Sequence, residues 1–164
     1  MKKNITKNTQ LPTVEFVAPG LLRIFAAMVY DMLLLAAISI AYGAIAVGVH
    51  VALFGQPASG QRIQWGMSGG IAVTLGWILV LMYFYIYFWQ KFGQTLGMKT
   101  WRFQVVDANT NQRITQIQAL KRSVTAFFSL LIFGMGYWYK FTNSKQRLLH
   151  DVASGTKLIL LKKE

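Results

Sequence analysis

Cysteine is absent from this chain, which leaves no disulfide frame, no thiolate metal site and no thiol nucleophile. Acids are nearly absent too: Glu15, Asp31, Asp107, Asp151 and Glu164 are all there are, against 17 lysines and arginines. Charged residues make up only 13% of the chain, too few to cover an ordinary soluble domain. Histidine occurs twice, at His50 and His150. The pair His150-Asp151 superficially suits a metal hydrolase, but such a site needs further His and Asp ligands near it. No Gly-rich loop closing on Lys-Ser/Thr is present, and no Ser–His–Asp set lies on a plausible scaffold. Gly93-Gln-Thr-Leu-Gly97 reads as a tight interfacial turn and not as an anion cradle. These absences point away from an enzyme and away from a cofactor or metal.

What the chain has is apolar length, with 54% hydrophobic residues. The first run extends from Leu21 to Phe54, beyond the roughly 20 residues that cross the hydrocarbon, so it should tilt or begin in the headgroup layer. It is also far longer than the ~7–15 apolar residues of a signal peptide, and reads as a retained span. Gly55 to Arg62 is a turn-rich connection. A second run extends from Trp65 to Trp89 and ends in Tyr83-Phe-Tyr-Ile-Tyr-Phe-Trp89, an aromatic belt suited to an interface. Small residues such as Gly43 and Gly48 in the first run, and the Gly66–Gly70 pair in the second, permit close helix contact. That spacing is common in membrane helices and specifies no seam by itself.

The formal charge is +12. The basic residues flank the apolar runs, which anchors spans against anionic lipid. No nucleic-acid recognition module accompanies them, so a bilayer with anionic lipids is the expected partner and nucleic acid is not. Lys2, Lys3 and Lys7 precede the first span, and Lys91, Lys99, Arg102 and Arg113 follow the second, whereas Arg62 alone lies between the spans. The charge rule therefore makes the N-terminus and the 90–119 loop cytoplasmic, as in a multi-pass inner-membrane protein.

The next apolar stretch, Val124 to Tyr139, is short for a span and is interrupted at Gly134-Met-Gly136. Thr115-Gln-Ile-Gln118 fits a capping box that would start its helix. If the helix crossed, the basic tail would lie outside, against the charge rule. Two strand-like stretches, Trp101–Val106 and Thr156–Leu161, can pair only if both lie on one side. The expected fold is an all-α membrane protein with two full transmembrane helices, a third short, broken or re-entrant helix, and a small cytoplasmic β element. A plain three-span chain is the alternative. A short helix is expected from Ser144, with Gly155 as its stop. The chain divides into a basic segment, 1–20, and one membrane domain, 21–164.

Asp31 lies inside the first span, with no other ionised residue until Arg62. An Asp at the centre of a membrane helix costs about 2.5–3.5 kcal/mol on insertion scales. In one reading it is paired, with Arg23, Lys121, Arg122 or the 147–151 helix as partner, and pins the polar segments to the span. In the other it binds a cation or exchanges a proton. Asp151, placed near the end of its short helix, opposes the dipole and needs a cation such as Arg147 or Arg23.

Arg23, Asp31, Gly93-Gln-Thr-Leu-Gly97-Met-Lys99, Val105-Val-Asp107 and Leu149-His150-Asp151 with Gly155-Thr156 together resemble the RDD family of integral membrane proteins, named for an arginine and two aspartates. The likeness covers 20–161. Arg23 and Asp31 match the arginine and the first aspartate, and Asp151 the second, with Asp107 as rival. Val152 stands where the family usually has a basic residue. The resemblance implies a membrane location. It also implies transport of an undefined ligand, in some members sodium–proton antiport, or membership of a larger membrane assembly. The first expectation is movement of cations or a small solute by a homo-oligomer, because two or three helices cannot enclose a path, with Asp31 as the cation or proton site. The alternative is a non-catalytic scaffold or accessory subunit beside a partner membrane protein, its Arg23, Asp31 and Asp151 forming a structural charge cluster. Lipid binding in the aromatic-lined groove is a third reading.

Overall fold

A computed structural model describes residues 17–132, 134–142 and 146–161. In chain order the elements are α1 (Leu21–Phe54), α2 (Gly66–Phe92), α3 (Leu96–Thr100), β1 (Phe103–Asp107), α4 (Gln116–Leu131), α5 (Met135–Thr142), α6 (Leu149–Ser154) and β2 (Thr156–Leu160). Lys2, Lys3, Lys7, Ser144 and most of the 1–20 segment lie outside the described residues.

α1 and α2 are long and apolar enough to cross a membrane. Within the most apolar window of each, only 0% and 6% of residues are buried in the protein, so the spans face lipid or another chain along most of their length. They meet through side chains at mid-depth. Tyr42 Oη donates to the Val73 carbonyl at 2.8 Å, and Trp77 Nε1 donates to Ser39 Oγ at 2.9 Å. A Cβ on Gly76 would lie 2.5 Å from Tyr42 Oη, so this glycine makes the approach. Among the described residues a Cβ on Gly43 or Gly48 would meet nothing within 4 Å, and Gly66 is equally open.

The packed core sits at one end, where α1 begins and α2 finishes. Ile24 and Ala27 of α1, Trp89 of α2, Met98 of α3, Phe103 and Val105 of β1, Ala119 of α4, Tyr137 of α5, Leu148 and Leu158 form one buried cluster. Gly93 ends α2 with φ +72°, a conformation that other residues rarely adopt, and turns the chain so that Val105 N–H donates to the Gly93 carbonyl at 2.7 Å. β1 and β2 pair antiparallel, from Phe103 opposite Leu160 to Asp107 opposite Thr156.

That pairing brings both ends of the 108–155 segment to the same place, so its helices leave and return. α4 starts at the expected capping box: Thr115 Oγ1 accepts from Gln118 N–H at 3.3 Å, and Gln118 Oε1 accepts from Thr115 N–H at 2.9 Å. α4 and α5 are bent by 102°. Gly134 N–H donates to the Ser129 carbonyl at 2.8 Å and Gly136 N–H to Ser129 Oγ at 2.9 Å, tying the break to α4. Lys140 on α5 reaches the Pro19 carbonyl just before α1. β2 is fastened to the same entry segment, since Leu160 N–H donates to the Val17 carbonyl at 3.0 Å. The broken helix is therefore what forms, and a straight third crossing is not.

One expectation needs correction. Residues 146–148 are not helical, Gln146 having φ +50° and Leu148 being extended, and α6 begins at Leu149 rather than at Ser144. Asp151 thus falls in the first turn, where a carboxylate favours the helix dipole instead of opposing it.

Candidate functional site

The two buried acids stand at separate stations. On α1 the inward residues are Ile24, Ala27 and Asp31. Asp31 is seven residues after Ile24 and shares its face, whereas Arg23 lies about 80° away around the helix at 3.6 residues per turn. Arg23 is exposed and makes no ion pair among the described residues. The expected Arg23–Asp31–Asp151 cluster does not form.

Asp31 instead receives the start of α3. Thr95 Oγ1 donates to Asp31 Oδ2 at 2.6 Å, and Gly97 N–H donates to Oδ1 at 2.9 Å. Thr95 Oγ1 also accepts from Met98 N–H at 3.2 Å, so one hydroxyl caps α3 and serves the acid together. The joint needs glycine at 97: a Cβ there would lie 2.1 Å from the Ala27 carbonyl oxygen and 2.9 Å from Asp31 Oδ1. Hydrogen bonds to a charged group contribute about 1.5–3 kcal/mol each, enough to offset the cost of placing the acid in the span.

Asp151 pairs with Arg122, one of the two basic residues of α4 that were candidates for Asp31; both partners are buried, with side chains 2% and 4% exposed. Lys121, the other candidate, is exposed. Arg122 Nη1 also donates to Thr156 Oγ1 at 2.9 Å, and its guanidinium lies 4.9 Å from the Trp89 ring. Asp151 Oδ2 accepts from Leu148 N–H at 3.3 Å, which starts α6. Ser154 Oγ donates to the His150 carbonyl at 2.6 Å and lies 2.8 Å from Thr156 Oγ1. The pair thus bolts α4, α6 and β2 together. Arg147, the simpler partner for Asp151, is half-buried beside a 210 Å³ hollow that Asp151 and Lys157 also line.

His150 is buried with its ring 5.2 Å from Tyr137, edge to face. Burial, and then the charge of Arg122, hold its pKa well below the usual histidine value. Asp107 is a turn-former. Its Oδ1 accepts from Asn109 and Thr110 N–H, both at 2.8 Å, and Gln118 Nε2 reaches Oδ2. The Thr110 amide, then Gln118, then the Asn109 amide hold its carboxyl well below the usual carboxylate range.

Between α1, α2 and α4 lies a cavity of about 290 Å³. Met28, Met32, Leu35, Leu81 and Phe127 form its apolar walls, and Asp31, Trp89, Arg122, Ser123 and His150 face it at the core end. Among the described residues, no three or more His, Cys, Asp or Glu gather as a metal site would.

Thr95, Trp89 and Thr156 were not singled out by sequence reasoning as partners of the acids. Only Thr95 had a legible signal, as the polar residue between Gly93 and Gly97 in the turn.

Two apolar helices long enough to span, a broken helical pair and a two-stranded sheet closing one end describe a small integral membrane protein. The RDD family profile matches residues 17–155, and the chain belongs to the RDD family. An uncharacterised protein of Rickettsia prowazekii (strain Madrid E) is 37% identical over 82 residues, covering 50% of this chain and 45% of that protein. The chain thus spans less than half the length of that relative. No solved structure matches.

Proposed function

We propose that this protein is a non-catalytic scaffold or accessory subunit of the inner membrane, in which Asp31 and the Arg122–Asp151 pair hold a compact cytoplasmic head onto two spans. One observation carries the reading: both oxygens of Asp31 are taken by Thr95 and Gly97. An acid engaged in this way serves the fold before it serves a ligand. The basic residues around the head, Lys91, Lys99, Arg102 and Arg113, support a cytoplasmic placement of that end, opposite the single Arg62. The bare flanks of α1 and α2 support a second copy or a partner membrane protein as their cover. Asp31→Asn tests this. It should lower yield and thermal stability, because Asn loses the charge-assisted part of both hydrogen bonds. An Asp31→Asn variant as stable and abundant as the wild type would refute it.

A second reading is movement of cations or a small solute by a homo-oligomer. It is favoured by the position of Asp31 on a cavity between the spans. Proteoliposomes carrying the wild type should then show pH- or sodium-dependent exchange that Asp31→Asn removes without loss of folded protein. Equal exchange by both would exclude Asp31 as its site.

A further inference from the structure

The residues that line the core end of the cavity between α1, α2 and α4 carry hydrogen-bonding atoms with no partner among the described residues. Trp89 Nε1, Arg122 Nε, Ser123 Oγ and His150 Nδ1 are all buried without a hydrogen-bond partner among the described residues. All four residues line this cavity, and each is less than a tenth exposed. Buried polar atoms without partners are rare, and four around one space point to a ligand that meets them. The indole and the guanidinium Nε can only donate, the hydroxyl can donate or accept, and the imidazole nitrogen does either according to tautomer. Their complement is an oxygen acceptor; Asp31, which lines the same end, already has both oxygens taken by Thr95 and Gly97.

The rest of the cavity states what the acceptor is attached to. Its α1 wall runs from Ile24 to Leu35, about 16 Å at 1.5 Å per residue. That is about half of the ~30 Å hydrocarbon, the depth of one leaflet. Met32 and Leu130 on the lining are exposed on the outer face of the protein, so the space opens sideways toward lipid. The polar end lies where α1 begins and α2 finishes, at headgroup level, and the apolar walls extend from there into the bilayer. A solute from water has no use for such walls, whereas a lipid of the adjoining leaflet fits both parts.

We propose that this cavity is a binding site for one glycerophospholipid of the surrounding leaflet. One acyl chain lies along Met28, Met32, Leu35 and Phe127. Its ester and phosphate oxygens accept from Trp89 Nε1, Arg122 Nε and Ser123 Oγ. Arg122 keeps its pair with Asp151 through Nη1, so Nε remains for the lipid.

The test is native mass spectrometry of the full chain, delipidated in detergent and titrated with dioleoyl-phosphatidylglycerol. Wild type should retain one lipid per chain. The Trp89→Phe/Ser123→Ala double variant keeps the ring against Arg122 but removes two polar groups, and should bind at least tenfold more weakly. Leu35→Trp fills the apolar wall and should also lose the lipid. Thermal unfolding without lipid establishes that each variant is folded; if the double variant is not, Leu35→Trp alone decides. Equal retention by folded variants and wild type, as for annular lipid, would overturn the proposal. So would no adduct, as for a floor that holds only water, or a preference for free oleate over the phospholipid.

Discussion

Gly97→Ala inserts one methyl group into the joint between α3 and α1. The new carbon would lie 2.1 Å from the Ala27 carbonyl oxygen, where real contacts stay beyond 3.0 Å. The Ala27 carbonyl belongs to the backbone of α1 and cannot rotate away, so α3 must retreat by nearly an ångström. That retreat carries the 2.9 Å bond from Gly97 N–H to Asp31 beyond hydrogen-bonding range. Overpacking costs about 1–3 kcal/mol and a lost hydrogen bond to a carboxylate about 1.5–3 kcal/mol, so the variant should lose roughly 3–5 kcal/mol. For a chain of this size each kcal/mol moves the melting temperature by about 2–4 °C, which makes a fall of roughly 10 °C. Tryptophan fluorescence during heating in detergent, with size-exclusion of the unheated sample, measures it. Gly48→Ala is the control, since a Cβ there would meet no other described residue within 4 Å. A Gly97→Ala protein melting within about a degree of wild type would show that α3 does not dock on α1 as described.

Arg122→Met should cost about 3–5 kcal/mol, because Asp151 is left charged and buried, whereas Arg122→Met with Asp151→Leu should regain most of the loss; the same melting assay reads both, and a double variant no better than the single would refute the pairing. His150 gives a pH dependence of defined sign. Its folded pKa is depressed, so its contribution is complete above the unfolded value of 6.5 and is lost as pH falls, when the unfolded chain takes up the proton first. Stability should drop by about 1.4 kcal/mol per pH unit below that point, and His150→Gln should flatten the slope between about pH 7 and 5.5.

The spans, the capping box at Thr115, the break at Gly134 and the pairing of two distant strands were all legible. Each is written in apolar length, turn chemistry or charge asymmetry. The partners of the acids were not. Sequence shows where cations are, and so Arg23, Lys121 and Arg122 were the natural candidates for Asp31. It does not show that a backbone amide and a threonine hydroxyl reach Asp31 first. Arg23 failed as a partner through helix phase: one residue before Ile24, it points outward. Asp151 was misread because its helix begins at Leu149, and the later start moves it from the negative end to the positive one. Arg122 turns inward because it lies three residues after Ala119 on the buried face of α4, but that face carries Ser123 and Ser129 while Ile117, Leu120, Phe128 and Leu131 are exposed, so the apolar pattern pointed the wrong way.

Lys140 at the Pro19 carbonyl and Leu160 at Val17 have a consequence for the order of assembly. A chain made from its N-terminus produces α1 long before the residues that fasten its entry. Asp31 must wait for Thr95, Arg122 must wait for Asp151, and Val17 must wait for Leu160. The head is therefore closed by β2, and both spans are synthesised before that closure exists.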